Sequence, residues 1–281
     1  MKIFKKTLDL WKHYADNGIV SKMPLHLDIE LTNRCNLDCQ KCPYHGKDTV
    51  FPQEPCDMDF ELYTKIINEA AIKNVRSVKL SFSGEPLLYP HIGKAIALAK
   101  SRGLHTSINT NGTLLDRKMC IILIENGLDV LIITDYNLDV QYYNLYILQA
   151  QKQVYSSEKP YIIAKSNDPY KFKTFVDETV PLSFDDYANL IEDTEIRDFK
   201  CGYPWQRLLI TADGSVLSCG CGMSLIDLER EYLGDSNSCE IEELWNSAKM
   251  NFLRVLHEHR ETHVIKMCRL CPIRRRAIET L

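Results

Sequence analysis

Three cysteines lie close together in the segment CNLDCQKC, which covers residues 35–42. Cys35, Cys39 and Cys42 follow directly after a predicted strand, on a loop where three side chains can converge. Thiolates are soft ligands suited to iron–sulfur clusters, and a [4Fe–4S] cluster needs one ligand for each iron. Three close cysteines leave one iron open for a cofactor or substrate, which distinguishes this pattern from a closed structural site.

A second set of four cysteines lies towards the C-terminus. Twelve residues separate Cys201 from Gly214, and four separate Gly214 from Cys219. Cys268 and Cys271 follow in the segment CRLC. Four thiols arranged in this way suit either an iron–sulfur cluster or a four-cysteine zinc site, so the residue types alone leave both open.

The predicted elements show how these cysteines are positioned. From about residue 25, short β-rich segments alternate with segments of helical period, which indicates repeated βα units around a parallel sheet. The predicted strands are 25–31, 77–83, 105–110, 129–134 and 160–165, and the predicted helices are 59–74, 91–103, 115–127 and 139–153. In a barrel of such units, the site forms at the carboxyl ends of the strands.

The regular alternation stops after the fifth predicted strand. Residues 166–187 have no clear period, and we interpret them as the closing part of a barrel or an irregular connection. After Cys201, the turn signal ADGS between two alternating segments predicts a hairpin, and residues 240–259 predict one helix. This change of pattern predicts a domain boundary near residues 195–200.

Composition and charge exclude several other classes of protein. The 281 residues carry a net charge of −4, so nothing indicates a general attraction to nucleic acid or to an anionic membrane. No segment has the pattern of a secretory signal or a membrane span, so we expect a cytoplasmic protein. In that reducing compartment, the eleven cysteines are better explained by metal binding or catalysis than by disulfides.

The segment CNLDCQKC resembles the C-x3-C-x2-C signature of the radical S-adenosylmethionine (SAM) superfamily. In that family, SAM chelates the fourth iron, and an electron from the cluster cleaves SAM to a 5′-deoxyadenosyl radical that abstracts a substrate hydrogen. The resemblance covers most of the chain and implies an α/β fold, a partial (β/α)6 TIM-like barrel. It also implies a SAM-binding [4Fe–4S] cluster held by Cys35, Cys39 and Cys42.

The same resemblance assigns residues to the SAM site. Ser83, Gly84 and Glu85 are similar to the family's Gly-Gly-Glu element, which uses backbone groups and a glutamate to hold the SAM ammonium. Asn109 and Asn111, in the segment INTNG, lie where related enzymes contact the ribose. Both segments follow predicted strands, at the edge where a barrel builds its site.

One position departs from the family pattern. The residue before the last cysteine is usually aromatic and packs near the adenine, but here it is Lys41. Either Tyr44 or the methylene stem of Lys41 can take this place. The adenine contact therefore has two candidates.

In their spacing, Cys201, Cys219, Cys268 and Cys271 resemble the shortened SPASM element called twitch, whose four cysteines hold an auxiliary [4Fe–4S] cluster. A full SPASM element needs further cysteines, and the segment PIRRRAIETL has none. The resemblance therefore implies one auxiliary cluster in a small C-terminal domain made of a β-hairpin and a helix. We predict an N-terminal extension at 1–24, the barrel at 25–198 and the twitch domain at 199–281.

In size and layout, the chain is similar to the dehydrogenase that oxidises 2-deoxy-scyllo-inosamine, in which the second electron of the substrate leaves through the auxiliary cluster. Related epimerases instead return a hydrogen atom from a cysteine thiol, and Cys221 and Cys239 are the candidate donors here. We therefore expect dehydrogenation or epimerisation of a small polyol or amino-sugar-like substrate. The reducing partner is expected to be a flavodoxin or ferredoxin, and nucleic acid is not an expected partner.

Two other functions stay open at this point. One is radical modification of a ribosomally made peptide, although the roughly 24 residues before the first strand are short for the recognition domain that such enzymes often carry. The other is a non-enzymatic zinc-binding protein. Candidates for the base that takes a substrate proton are Asp135, Tyr136 and Arg207, and we expect His257, His259 and His263 on the solvated surface.

Overall fold

One mixed sheet runs through the chain. The computed structural model describes residues 2–40, 42, 44–46, 54–168, 170–181, 200–220, 232–265 and 268. Over these residues, nine strands form the sheet in the order β6-β5-β4-β3-β2-β1-β7-β8-β9. None of the helices in this described part is long and apolar enough to cross a membrane.

The first six strands are parallel and form the expected partial barrel. They are β1 His26–Ile29, β2 Ser77–Lys79, β3 His105–Thr110, β4 Val130–Thr134, β5 Tyr161–Lys165 and β6 Glu178–Val180. Helix α1, Lys2–Asp16, precedes them, and the connecting helices are α2 Phe60–Ile72, α3 Ile92–Ser101, α4 Arg117–Glu125 and α5 Asp139–Val154. The α/β prediction is confirmed, and β6 is a further strand in the stretch that shows no period in sequence.

Alternation along the strands separates the core from the barrel interior. In β3, Thr106 and Ile108 are fully buried on the side of the helices, whereas Ser107 and Asn109 are half-buried and face the other way. The outer core is formed by aliphatic side chains of the strands and helices, among them Leu27, Ile66, Ile96, Leu123, Leu145 and Ile162. The helices thus cover one face of the sheet, and polar side chains line the other.

A buried ionic group joins β1, β2 and the strand that follows Gln206. Asp28 of β1 lies 2.6 Å from Lys79 Nζ and 3.4 Å from Arg207 Nη1. Burial by itself raises the pKa of Asp28, but the charges of Lys79 and Arg207 hold it well below its ordinary value. The Arg207 guanidinium also stacks on the rings of Trp11 and Tyr203, at 4.9 and 4.3 Å from their centroids.

The C-terminal part extends the same sheet. Strand β7, Arg207–Ile210, is parallel to β1, and β8 Ser215–Leu217 and β9 Tyr232–Asp235 continue it in antiparallel order. The predicted hairpin is confirmed as β7 and β8, and β9 is an additional strand. The predicted boundary near 195–200 lies almost entirely outside the described residues.

The prediction of one helix over residues 240–259 is wrong. The structure has two helices there, α6 Ile241–Trp245 and α7 Ala248–Glu258. The interruption has a local cause, because the Ser247 hydroxyl accepts a hydrogen bond from Met250 N at 3.3 Å and so begins a new helix. The apolar period continues across this break, which is why it is not visible in the pattern.

Arg254 connects the elements of this C-terminal part. Its guanidinium donates to Pro204 O and Trp245 O, both at 2.9 Å, and lies 4.2 Å from the centroid of the Trp245 ring. Burial lowers the pKa of Arg254 to about 10, so the group is still charged at neutral pH. One side chain thereby joins the turn before β7 to both helices.

We expect Arg254→Leu to lower the free energy of unfolding by about 2–4 kcal/mol, because two buried carbonyls lose their charged donor. Urea unfolding followed by circular dichroism measures the effect. Arg117→Leu on the exposed side of α4 is the matched control and should change stability by no more than about 0.5 kcal/mol. Equal stability of the two variants would contradict the connecting role of Arg254.

Candidate functional site

The first cysteine loop is tightly coiled after β1. Cys42 N donates to Cys39 O at 2.8 Å, and Gly46 N donates to Cys42 O at 3.0 Å. A Cβ atom at Gly46 would lie only 2.5 Å from Cys42 O, so a larger residue does not fit there. Cys35, Cys39 and Cys42 are all free and half-buried, and the loop gathers them in one place.

These thiols lie near enough to influence one another. Burial raises the pKa of the Cys35 thiol, and the neighbouring Cys39 and Cys42 add to the effect. Burial also raises the pKa of Cys39, again with a contribution from Cys42. A cationic iron centre reverses this penalty by binding the thiolate form, so the three residues fit a cluster. Over the described residues, no three His, Cys, Asp or Glu side chains are placed to hold a single metal ion.

The loop after β2 packs directly on the backbone that leads into Cys35. A Cβ atom at Gly84 would lie 2.4 Å from Thr32 O and 2.6 Å from Arg34 O. Glu85 N donates to Arg34 O at 2.7 Å, which holds the two backbones together. The glycine of the family-like element is therefore required for close approach.

The Glu85 carboxylate is buried and has several protein donors. Its Oε1 accepts from Thr110 Oγ1 at 2.7 Å and Leu87 N at 3.1 Å, and its Oε2 accepts from Asn111 N at 2.8 Å. Burial raises the pKa of Glu85. In this arrangement the side chain joins the carboxyl ends of β2 and β3, and its contact with a SAM ammonium stays a prediction.

The two asparagines predicted for the ribose differ in their surroundings. Asn111 Nδ2 donates to Asn36 Oδ1 at 2.9 Å, and Asn111 Oδ1 accepts from Thr113 N, so this side chain fixes the cysteine loop. Asn109 N donates to Ser81 Oγ at 3.0 Å, but Asn109 Oδ1 is buried and has no hydrogen-bond partner within the described part of the chain. A buried acceptor of this kind fits a ligand hydroxyl.

Glu30 is a site residue that sequence reasoning did not single out. Both Ser83 N, at 3.0 Å, and the Ser83 hydroxyl donate to Glu30 Oε1, and Ala212 N donates to Oε2 at 3.1 Å. Burial raises the pKa of Glu30. The alternation of LHLDIEL places His26, Asp28 and Glu30 on one side of β1, and this was the available signal.

His45 was also not singled out. Burial lowers its pKa, and hydrogen bonds to the backbones of Ser83 and Asn33 act in the opposite direction without cancelling the effect. Its Nε2 atom is buried and lacks a hydrogen-bond partner among the described residues. Together with Asn109 Oδ1, it gives this edge of the barrel two polar atoms that a bound cofactor can satisfy.

Tyr44 packs toward the C-terminal domain. Its ring centroid lies 5.8 Å from that of Phe82, and both rings pack against Leu209 and Leu217 of the hairpin. Phe82 in turn contacts the backbone at Gly220, where a Cβ atom would lie 3.0 Å from Phe82 Cε2. We call Tyr44 and Phe82 the aromatic bridge, because they connect the first cysteine loop to the residue beside Cys219.

Part of the second cysteine set is described. Cys201 and Cys219 are half-buried and Cys268 is buried, whereas Cys271 and the candidate donor Cys221 lie outside the described residues. Lys41, the alternative to Tyr44 for the adenine contact, also lies outside them. No disulfide joins any of the cysteines in the described part of the chain.

His257 lies between two of these cysteines. Cys201 N lies 3.1 Å from His257 Nδ1, and Cys268 Sγ lies 3.5 Å from His257 Nε2. The expectation of a solvated His257 is therefore wrong, because its side chain is only 1% exposed on the packed face of α7. His259 and His263 are exposed as predicted.

Cys239 lies elsewhere. It follows β9 and packs against the outer helical layer, where its carbonyl accepts from Lys65 Nζ of α2 at 3.5 Å. No described contact joins it to Cys35, Cys39 or Cys42, and its role as a hydrogen donor stays a prediction.

The three candidate bases are constrained. Burial by itself raises the pKa of Asp135, but Lys171, 2.6 Å away, and other partners hold it below its ordinary value. Burial raises the pKa of Tyr136, whose hydroxyl interacts with Cys39. Arg207, the first residue of β7, is paired with Asp28. At neutral pH the Asp135 carboxylate is therefore ionised and paired with Lys171, whereas Tyr136 keeps its proton, and the identity of the base stays a prediction.

We expect Gly84→Ala to displace the segment that leads into Cys35, because the added methyl group would overlap two carbonyl oxygens. Iron bound after anaerobic reconstitution should fall by about four atoms per chain, which is one [4Fe–4S] cluster. Gly103→Ala is the control, since a Cβ atom there meets nothing within 4 Å and only its φ of +78° is unfavourable. Full iron retention by Gly84→Ala would refute the steric requirement.

Two family models match the chain. The radical SAM superfamily model matches residues 29–160, which include the first cysteine loop and the loops after β2 and β3. The SPASM model, an iron–sulfur cluster-binding domain, matches residues 201–272, which include the second cysteine set. These matches imply a SAM-binding [4Fe–4S] cluster, SAM and an auxiliary iron–sulfur cluster.

Curated relatives match a shorter part of the chain. The tungsten-containing aldehyde ferredoxin oxidoreductase cofactor-modifying protein of Pyrococcus furiosus is 36% identical over 107 residues, which are 37% of this chain and 29% of the relative. The PqqA peptide cyclase of Granulibacter bethesdensis is 32% identical over 118 residues, 42% of this chain and 30% of the relative. This chain thus covers less than a third of the length of either relative.

Solved structures share the fold over most of the chain. BtrN in complex with AdoMet and 2-DOIA has a TM-score of 0.65 and 20% identity, over 90% of this chain and 94% of that chain. Streptococcus suis SuiB bound to the precursor peptide SuiA has a TM-score of 0.55 and 14% identity, over 89% and 70%. The site geometry, the two domain matches and the shared fold agree. The chain carries a radical SAM domain over residues 29–160 and a SPASM iron–sulfur cluster-binding domain over residues 201–272.

Proposed function

We propose that this radical SAM enzyme dehydrogenates a small polyol or amino-sugar-like substrate, with the auxiliary cluster as the exit for the second electron. When bound, the two clusters and SAM supply the hydrogen-abstracting radical and the electron acceptor. In this proposal Cys35, Cys39 and Cys42 hold the first cluster, and Cys201, Cys219, Cys268 and Cys271 hold the auxiliary one. The residues of this chain bind and orient these groups.

The observation that carries the proposal is the aromatic bridge. Phe82 contacts Tyr44, two residues after Cys42, and the backbone of Gly220, next to Cys219. Leu209 and Leu217 complete this packed group. A dehydrogenation needs both metal centres close to one substrate, because the abstraction and the second oxidation act on the same carbon. A continuous packed connection between the two cysteine sets supports such an arrangement.

The polar interior supports a hydroxylated substrate. Ser107 and Asn109 of β3 and Lys165 of β5 alternate with buried apolar positions and are half-buried on the interior side. Hydroxyl and amino groups of a polyol or amino sugar match such donors and acceptors. We propose that Ser107 and Lys165 position the carbon that loses hydrogen, next to the position where Asn109 is predicted to contact the SAM ribose.

Epimerisation has less support among the described residues. An epimerase needs a thiol that delivers hydrogen to the face opposite the abstraction. Cys239 packs on the outer helical layer against α2, and Cys221 lies outside the described residues. We therefore propose dehydrogenation first and retain epimerisation as an outcome of the test.

Modification of a peptide is the second candidate function. The observation that favours it is the similarity to proteins named as PqqA peptide cyclase, and to SuiB in its complex with a precursor peptide. For either function, we propose a flavodoxin or ferredoxin as the electron donor, because a radical SAM cluster must be reduced before each cleavage of SAM.

We expect the two cysteine sets to bind iron independently. Reconstituted wild type should hold about eight irons per chain, and Cys35→Ala/Cys39→Ala/Cys42→Ala should hold about four. Cys201→Ala/Cys268→Ala should also retain about four, now at the first site. Zinc in place of iron at the second set would contradict the proposed electron exit.

We expect a substrate deuterated at one carbinol carbon to transfer that deuterium to 5′-deoxyadenosine. Mass spectrometry of a panel of aminocyclitols and amino sugars should show a product that has lost two hydrogen atoms. The Cys35→Ala/Cys39→Ala/Cys42→Ala protein is the control and should form neither deuterated 5′-deoxyadenosine nor the dehydrogenated substrate.

Two outcomes would contradict the dehydrogenase proposal. A product of unchanged mass that takes one deuterium from heavy water would identify epimerisation instead. Deuterium transfer from a peptide, with none from the small substrates, would favour peptide modification.

A further inference from the structure

His257 makes two contacts that point to a role at the auxiliary cluster. It lies in α7, and its ring is buried between Cys201 and Cys268. Cys201 N lies 3.1 Å from Nδ1, and Cys268 Sγ lies 3.5 Å from Nε2. One imidazole therefore contacts two members of the second cysteine set, 67 positions apart in sequence, through different ring atoms.

The first contact fixes the proton on the ring. A backbone N–H group can only donate, so Cys201 N donates to Nδ1 and this atom must carry a lone pair. In the neutral ring the proton then lies on Nε2. The Nε2–H group points to a sulfur atom, and a thiolate sulfur is an acceptor. The contact with Cys268 is thus a hydrogen bond from His257 to the sulfur.

The ring is held in this orientation by its neighbours. The Trp205 ring packs edge-on against His257 with a centroid distance of 6.4 Å. One turn earlier in α7, Arg254 is tied to Pro204 O and Trp245 O. A side chain that is 1% exposed and packed in this way cannot rotate to exchange its two ring nitrogens without disturbing both contacts.

We propose that His257 sets the reduction potential of the auxiliary cluster by donating an Nε2–H hydrogen bond to the Cys268 thiolate. Hydrogen bonds to cluster sulfurs stabilise the reduced, more negative state and so raise the potential. His257 acts through Cys268 and is a positioning residue. The inference rests on the proposed assignment of Cys201 and Cys268 to this cluster, which iron content tests separately.

The test uses the Cys35→Ala/Cys39→Ala/Cys42→Ala protein, in which only the second site can bind a cluster. His257→Phe keeps the ring volume but removes the donor, and the potential is measured by redox titration with EPR detection. We expect reduction to become about tenfold less favourable, a shift of about 59 mV to more negative values for one electron. His257→Gln can still donate through its amide and should recover part of the shift, and exposed His259→Phe should leave the potential unchanged.

A second measurement detects the ring of His257 directly. Protein labelled with ¹⁵N in histidine only, reduced with dithionite, should show a ¹⁵N coupling to the paramagnetic cluster by pulsed EPR. The coupling should be absent in His257→Phe. If His257→Phe loses its iron, the labelled Cys35→Ala/Cys39→Ala/Cys42→Ala protein, called the parent protein, tests the proposal by itself. A coupling in the parent protein supports the proposal, and its absence overturns the proposal.

The outcomes separate this inference from the proposed function. About four irons with a potential in His257→Phe equal to that of His259→Phe would overturn the role of His257 alone. Parent protein without iron at the second site would overturn the assignment of the cluster ligands, and the role of His257 with it.

Discussion

The close contact between two backbones is the constraint on which the site depends. Gly84 lies so near Thr32 O and Arg34 O that no side chain fits between the loop after β2 and the segment before Cys35. The neighbouring Glu85 then extends this contact to β3 by accepting hydrogen bonds from Thr110 and Asn111. Three strand ends are thereby held in fixed relative positions. These contacts, together with the loop's own sequence, determine the position of the cysteine loop.

Much of the barrel could be predicted from sequence because its strands and helices carry strong periodicity. The predicted strand at 105–110 has the observed bounds, and the helices differ by only a few residues at their ends. Two features with weak sequence signals were missed. Strand β6 has three residues, and Ser247 interrupts an apolar period that is otherwise continuous. Neither feature changes the local pattern enough to be recognised.

The sequence also pointed to a candidate site, although the roles of its residues stay predictions. Spacing alone located both cysteine sets, since ligand chemistry requires thiols in number and proximity. Glu30, His45 and His257 were not identified, because each acts through contacts with residues distant in sequence. A histidine beside charged neighbours looks like a surface residue, and only the packing of α7 shows that His257 is buried.

The parallel pairing of β1 with β7 makes the two cluster-binding parts structurally inseparable. Strand β1 lies in the middle of the sheet only because β7 covers its second edge. Without the C-terminal part, this edge of β1 would be exposed. Asp28 would also lose its ion pair with Arg207. An exposed strand edge can pair with strands of other molecules, which leads to aggregation. A chimaera that takes its C-terminal part from a relative therefore has to keep the pairing of β7 with β1.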